Sequence, residues 1–242
     1  MRSLYLRYEV LRTVRNRRFL VFSLGFPLVL FLFIAGSNRN AHLDGISFPL
    51  YYMTGMAAWG TMVATISSGA RIAAERQIGW TRQMRITPLP VRTYFGVKIL
   101  SGYLMALLTM AALYLAGTSL GVRLSAGGWL RMTALLLIGL IPFAVIGILF
   151  GHLMKVDSLG PALGGVTTLF ALLGGAWGPL ATGGLFLTIV KCLPSYWLVQ
   201  AGKSGLGSSG WPPAEAWIVI AAWTVAMSGL AVVVYQRDTA RV

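Results

Sequence analysis

Apolar stretches follow one another along almost the whole chain, and short segments that collect the charged residues separate them. A transmembrane helix needs about 20 mostly apolar residues. The pattern predicts six such helices, at about 19–36, 48–70, 94–120, 130–150, 158–177 and 214–235. We therefore expect an all-α membrane protein in which residues 1–242 form a single transmembrane domain.

The most informative interruption is the charged loop at residues 73–90, between the second and third predicted helices. Because both flanks are long enough to cross a bilayer, this loop must lie at a membrane face. Gly79 favours a bend or break in any helix here, and Pro88 and Pro90 would end it. Helical spacing gives two faces, with Arg71, Glu75, Arg82 and Arg85 on one and Ala73, Trp80 and Met84 on the other. The loop is either a solvated segment with positive-inside charge or a docking element for a cytoplasmic partner.

The basic residues indicate the orientation of the chain. Six crossings put 15 of the 20 lysines and arginines on one side, including the N-terminal segment 1–18, and five on the other. The positive-inside rule then places both termini in the cytoplasm. A signal peptide is the alternative for the N-terminus, but further apolar spans follow it where a soluble body would be needed. Leu4, Tyr8 and Leu11 share a helical face, which gives moderate support for an interfacial helix.

Composition excludes several classes of protein. The chain is 57% hydrophobic and only 11% charged, whereas a soluble domain carries about 25% charged residues. The net charge of +14 is distributed between apolar runs rather than gathered on one soluble face, which argues against nucleic-acid binding. Cys192 is the single cysteine, and His42 and His152 are predicted on opposite sides of the membrane, so we expect no metal site. We also expect no catalytic residues, because no Ser, His and carboxylate set is evident.

Residues 174–210 carry a second informative pattern. The apolar stretch Leu185 to Leu193 is too short to cross the bilayer, and both its ends are predicted outside, so it should re-enter the membrane partway. Trp177 and Tyr196 would suit an aromatic belt at the membrane interface. Gly202-Lys203-Ser204 matches the end of a phosphate-binding loop, but position 197 is Trp where that motif needs Gly.

Several of these segments together resemble one family. Glu75-Arg76 with Gly79, the run from Met84 to Pro90, and Lys98 resemble the E-R-x-x-G, L-R-x-T-P and downstream Lys pattern of ABC-2 type transporter permeases. Trp80 departs from it, since a small residue often follows the glycine in that family. The resemblance implies that the charged loop is a cytoplasmic coupling helix seated on an ATPase, with the candidate residues Glu75, Arg76, Gly79, Arg82, Arg85, Thr87 and Pro88. It also implies an extracellular re-entrant element whose candidate gate residues are Trp177, Pro179, Pro194 and Tyr196.

The resemblance further implies a function. A member of the drug-export-like branch would be the permease subunit of an exporter in a bacterial cell membrane, moving a hydrophobic or amphipathic drug or lipid-like substrate outward. It would pair with a second permease copy or a sister permease, contact membrane lipid, and bind two cytoplasmic ATPase subunits. ATP and Mg²⁺ would be held by those partners, so no cofactor is expected on this chain. The alternative is an ATP-independent carrier or a membrane scaffold, although a carrier usually needs an intramembrane charge for coupling.

Overall fold

The chain folds as a bundle of helices in the computed structural model, which describes residues 2–16, 20–43, 45–80, 83, 90–180, 183–204 and 212–240. Across these residues the helices are α1 (Arg2–Arg15), α2 (Phe26–Ser37), α3 (Phe48–Ala70), α4 (Ile72–Gln77), α5 (Val91–Ser119), α6 (Ala126–Gly139), α7 (Ile141–Leu153), α8 (Val156–Gly174), α9 (Gly184–Lys191), α10 (Pro194–Lys203) and α11 (Ala214–Ala240). A π-helical turn, Val21–Gly25, precedes α2. Strands β1 (His42–Leu43) and β2 (Ile46–Ser47) form an antiparallel hairpin between α2 and α3.

Four of the predicted spans are confirmed as helices that are long and apolar enough to cross a membrane. Among the described residues these are Val91–Ser119, Ala126–Leu153, Val156–Gly174 and Ala214–Arg237. They match the third to sixth predicted spans to within a few residues. The second of them contains both α6 and α7, which meet at Leu140 just before Pro142. The chain is therefore a multi-pass membrane protein.

The first two predicted spans are helical but differ in character from the others. The apolar helix at Ser23–Ser37 is shorter than a full crossing. Helix α3 has the predicted bounds, yet it is not among the four apolar spans because it carries more small and polar residues. Since 19 of its 23 residues are buried, α3 faces protein and has little need of a lipid-facing surface. The count of six crossings stays a prediction.

Helix α3 lies at the centre of the bundle. It packs against α2, α5, α7, α8 and α10, and its methionines Met53, Met56 and Met62 belong to the main apolar core. Its approach to α7 is close, because a Cβ atom at Gly147 would lie 2.4 Å from the carbonyl oxygen of Ile66. Small residues thus let the two backbones touch, as in other membrane helix pairs.

Helices α9 and α10 form a sharp break in the segment predicted to re-enter the membrane. Their axes differ by 90°, and they are long and apolar enough for a span only when taken together. The indole N–H groups of Trp197 and Trp223 donate to the carbonyl oxygens of Lys191 and Cys192, each at 2.8 Å, at this break. Such geometry fits either a broken span or a re-entrant loop, so the re-entrant element stays a prediction.

Candidate functional site

A buried ion cluster joins three helices at one end of the bundle, which we call the charged end. Lys98, near the start of α5, has a fully buried side chain. Its Nζ atom donates to Glu9 Oε1 of α1 at 2.6 Å and to Glu75 Oε1 of α4 at 2.5 Å. A lone buried charge is strongly destabilising, whereas a paired and hydrogen-bonded one is tolerated. The pairing therefore ties α1, α4 and α5 to one another.

Glu75 bonds to two further residues of the cluster. The hydroxyl of Tyr94 donates to its Oε2 atom at 2.6 Å, and Arg12 Nη1 donates to its Oε1 atom at 2.9 Å. The Glu75 side chain is only 1% exposed, while that of Arg12 is 52% exposed. Arg12 thus connects a buried carboxylate to the surface of the charged end.

Arg71 extends the cluster from the junction of α3 and α4. Its Nη2 atom donates to Thr13 Oγ1 at 2.6 Å and lies 3.9 Å from Glu9 Oε1. Burial lowers the pKa of Arg71, and the negative charges of Glu9 and Glu75 oppose that shift. With two carboxylates facing Lys98 and Arg71, the buried formal charges balance.

Arg76 attaches α4 to a fourth helix. Its Nη1 atom donates to the carbonyl oxygens of His152 at 2.7 Å and Gly151 at 3.3 Å, in the last turn of α7. A cation in this position suits the negative end of the helix dipole. The rings of His152, Phe95 and Tyr235 contact one another, with centroids 5.5 to 5.9 Å apart, so α11 also reaches this point.

The predicted break in the charged loop is confirmed. Helix α4 ends at Gln77, and Gly79 has a φ of 74°, a conformation that glycine adopts at little cost. Between them the apolar side chain of Ile78 is 67% exposed. The other candidate coupling residues, Arg82, Arg85, Thr87 and Pro88, lie outside the described residues.

The candidate gate residues lie along the segment from the end of α8 to α10. Trp177 packs against Trp59 of α3 with ring centroids 5.2 Å apart. Pro179 is exposed in the irregular stretch that follows, Pro194 is the buried first residue of α10, and Tyr196 packs edge-on against its neighbour Trp197. The end of α8 contacts the start of α10 at Gly174, where a Cβ atom would lie 2.9 Å from the carbonyl oxygen of Ser195. A gating role for these residues stays a prediction.

Sequence reasoning missed half of the ion cluster. By sequence alone, Glu9 and Arg12 belong to the charged N-terminal segment 1–18, and Tyr94 marks the start of the third predicted span. Two signals could have found them. Glu9 is the one carboxylate in a segment with six arginines, and Lys98 is the one strongly charged residue in the long apolar run from Tyr94 to Leu120.

Comparison with known proteins identifies the family of the chain. A profile described as "ABC-2 family transporter protein" matches residues 35–233, which is most of the sequence. The chain belongs to the ABC-2 transporter family. It is also 28% identical over 191 residues to the "Putative transport permease YvfS" of Bacillus subtilis (strain 168), and the alignment covers 78% of each protein.

Family membership makes this ABC-2 protein a transport permease in the membrane rather than an enzyme. Within the described residues no group of three or more His, Cys, Asp or Glu side chains is placed to hold a metal ion. The matched region includes Glu75 and Lys98 but begins after α1. The ion cluster therefore joins the matched part of the ABC-2 chain to a helix that lies before it.

Proposed function

We propose that this chain is the membrane-spanning subunit of an ATP-driven exporter that moves hydrophobic or amphipathic molecules, of drug or lipid type, out of a bacterial cell. ATP and Mg²⁺ are held by two separate cytoplasmic ATPase subunits, and the permease works with a second copy or a sister chain. The observation that carries the proposal is the ion cluster at the charged end. Its position agrees with the cytoplasmic side on which the positive-inside rule places both termini.

The cluster supports the mechanical part of this function. Glu75 links α4 to α1 and α5, and Arg76 links α4 to α7. A push on this short helix would therefore move several long helices together, as a rigid-body transition requires. ATPase closure on the charged loop would thus change the arrangement of the whole bundle.

The geometry divides the coupling residues into two groups. Glu75 and Arg76 point into the permease, so their proposed role is to pass movement from α4 to its neighbours rather than to touch the ATPase. Direct contact falls to the exposed turn around Ile78 and, in our proposal, to Arg82, Arg85, Thr87 and Pro88. The exposed side chain of Ile78, between Gln77 and Gly79, offers a small apolar contact to the ATPase in this proposal.

The proposal can be tested by purifying the tagged chain from its native cell in mild detergent and identifying bound proteins by mass spectrometry. We expect a soluble ATPase in about equal amount with the permease. Replacing Ile78→Asp should remove the ATPase, because a carboxylate would be buried in the contact without a partner. The matched control is Val91→Asp, since Val91 is also apolar and exposed near the same end, and it should retain the ATPase.

Two results would overturn the proposal. Recovery of an intact permease without any ATPase would favour the ATP-independent carrier or scaffold. ATPase that binds but drives no outward transport in reconstituted vesicles would contradict the exporter itself. Insertion and thermal unfolding of each variant should be measured first, so that loss of binding is not confused with loss of fold.

A further inference from the structure

We propose that Trp59 and Trp177 are a pair of hydrogen-bond donors that receive an acceptor group, such as a ketone, ester or amide carbonyl, carried by an apolar molecule. This inference rests on the proposed transport function and adds a recognition site to it. The two indole rings meet edge to face, with centroids 5.2 Å apart and an interplanar angle of 87°.

Both indole N–H groups are buried without a hydrogen-bond partner among the residues that the structure describes. Trp59 is only 6% exposed, and the Nε1 atoms of Trp59 and Trp177 are shielded from solvent. Buried tryptophans usually find an acceptor for this group. Leaving a buried donor unpaired lowers stability, so each such group in a native structure calls for an explanation.

Other tryptophans of the same chain show the ordinary behaviour. Trp197 donates its indole N–H to the carbonyl oxygen of Lys191, and Trp223 donates to that of Cys192. The fold thus provides acceptors for indoles near the break between α9 and α10. The unpaired donors of Trp59 and Trp177 are a local feature of their own site.

A contact between the two rings does not satisfy both donors. In an edge-to-face pair, one N–H can point at the face of the other ring, which is a weak hydrogen bond. The second ring cannot return the contact, because its face is already directed at the first. At least one indole donor therefore remains available.

Close backbone contacts hold the two rings in place. A Cβ atom at Gly55 would lie 2.0 Å from the carbonyl oxygen of Ala176, so glycine lets the segment carrying Trp177 lie directly on α3. A Cβ atom at Gly60 would lie 3.2 Å from Pro27, so α2 is also close to Trp59. A donor pair fixed on packed helices is preorganised for a ligand.

The site also reaches the surface of the bundle. Phe26 packs edge-on against Trp59 with centroids 5.7 Å apart, and Phe26 is 49% exposed. The π-helical turn Val21–Gly25 ends directly before Phe26, and π-helical turns are frequent at functional sites. Three aromatic rings in contact thus lead from an exposed face to the buried donors.

The surroundings define the chemical class of the ligand. Trp59 belongs to the main apolar core, and Trp177 packs against that core. An apolar body is needed to enter such a site, and indole N–H groups can only donate. The ligand we infer is therefore an apolar molecule with an uncharged acceptor, whether it is a transported compound or the ester group of a lipid.

The experiment uses the full-length permease labelled with ¹⁵N in tryptophan, in nanodiscs made of ether-linked phosphatidylcholine, which has no carbonyl. The indole N–H resonances are recorded before and after addition of 2-nonanone, with nonane as the matched probe that lacks the acceptor. Trp59→Phe and Trp177→Phe assign the resonances and keep an aromatic ring at each position. A third sample in ester-linked phosphatidylcholine tests lipid as the source of the acceptor.

We expect 2-nonanone, and not nonane, to move the Trp59 or Trp177 resonance downfield, while those of Trp197 and Trp223 stay in place. A downfield shift already present in ester lipid identifies lipid as the occupant. The proposal would be overturned if neither the ketone nor the ester lipid shifts the Trp59 and Trp177 resonances, or if ketone and alkane shift them equally. The measurement needs no ATPase, so its failure is distinguishable from failure of ATP-driven transport.

Discussion

The ion cluster and the tryptophan pair differ in whether their buried polar groups are hydrogen-bonded. The buried Lys98 donates to the buried carboxylates of Glu9 and Glu75, whereas the indole donors of Trp59 and Trp177 are buried without partners among the described residues. A satisfied network fixes the relative position of the helices that supply it. An unsatisfied donor can still form a hydrogen bond to a ligand. The comparison teaches that one bundle keeps its proposed mechanical joint and its proposed recognition site in separate places.

The strongest way to break the comparison is to remove the central cation of the cluster. Lys98→Met leaves Glu9 and Glu75 buried without Lys98, and removing one partner of a buried ion pair costs about 3–5 kcal/mol. The free energy of unfolding in detergent should fall by that amount. Lys155→Met is the matched control, because Lys155 is exposed in the turn after α7.

A rescue experiment sharpens this result. Adding Glu75→Gln to Lys98→Met removes the excess carboxylate and leaves Glu9 beside Arg71, so the double variant should be more stable than the single one. A double variant less stable than Lys98→Met would show that Glu75 has partners strong enough to hold its charge without the lysine.

The next largest effect should come from the glycine beneath the tryptophan pair. Gly55→Ala places a methyl group against the carbonyl of Ala176, and overpacking of this kind costs about 3 kcal/mol. Gly36→Ala in α2 is the control, because nothing lies within 4 Å of a Cβ atom there. The variants are compared by thermal unfolding. Equal midpoints would mean that the segment carrying Trp177 can move away from α3 without loss.

Much of the fold could be predicted because apolar length is a local property. The span predicted at 214–235 became α11, and the bounds of α3 were predicted correctly, since a run of suitable residues is enough for a helix. Its burial at the centre of the bundle could not be predicted, because that depends on which helices surround it. The break at Gly79 was predicted from the low helix propensity of glycine.

The site was harder to predict than the spans. Glu9 and Lys98 are 89 positions apart, and no local pattern pairs them. The motif identifies Glu75 as a candidate, but it does not predict that the side chain points into the bundle. A short helix enclosed by α1, α5 and α7 can bury a charge on any face. Trp177 is predicted as an aromatic-belt or gate residue, while Trp59 has no distinguishing neighbours in an apolar helix.

A smaller effect is expected where the cluster meets α7. Arg76→Ala removes charge-assisted hydrogen bonds to the carbonyl oxygens of His152 and Gly151, which contribute about 2 kcal/mol. Gln77→Ala is the control, because Gln77 is exposed at the end of the same helix. Unfolding free energies would measure the difference. A loss of transport with a stability equal to that of Gln77→Ala would assign Arg76 to coupling alone.

The smallest effect should come from Arg12, although it bonds to the same carboxylate oxygen as Lys98. Its side chain is half exposed, and exposed ion pairs contribute only about 0–1 kcal/mol. Arg12→Gln should therefore change the free energy of unfolding by less than about 1 kcal/mol, and the change should shrink further in high salt because exposed charges are screened.

Salt dependence separates two ways of holding α1 on the bundle. If the buried pair of Glu9 and Lys98 holds it, Glu9→Gln will be far more destabilising than Arg12→Gln, and salt will hardly alter the effect. If Arg12→Gln proves equally costly, the surface arginine carries the attachment. The attachment of α1 to α4 would then weaken with ionic strength, and the contrast between a buried, bonded ion cluster and a buried, unpaired donor pair would no longer hold.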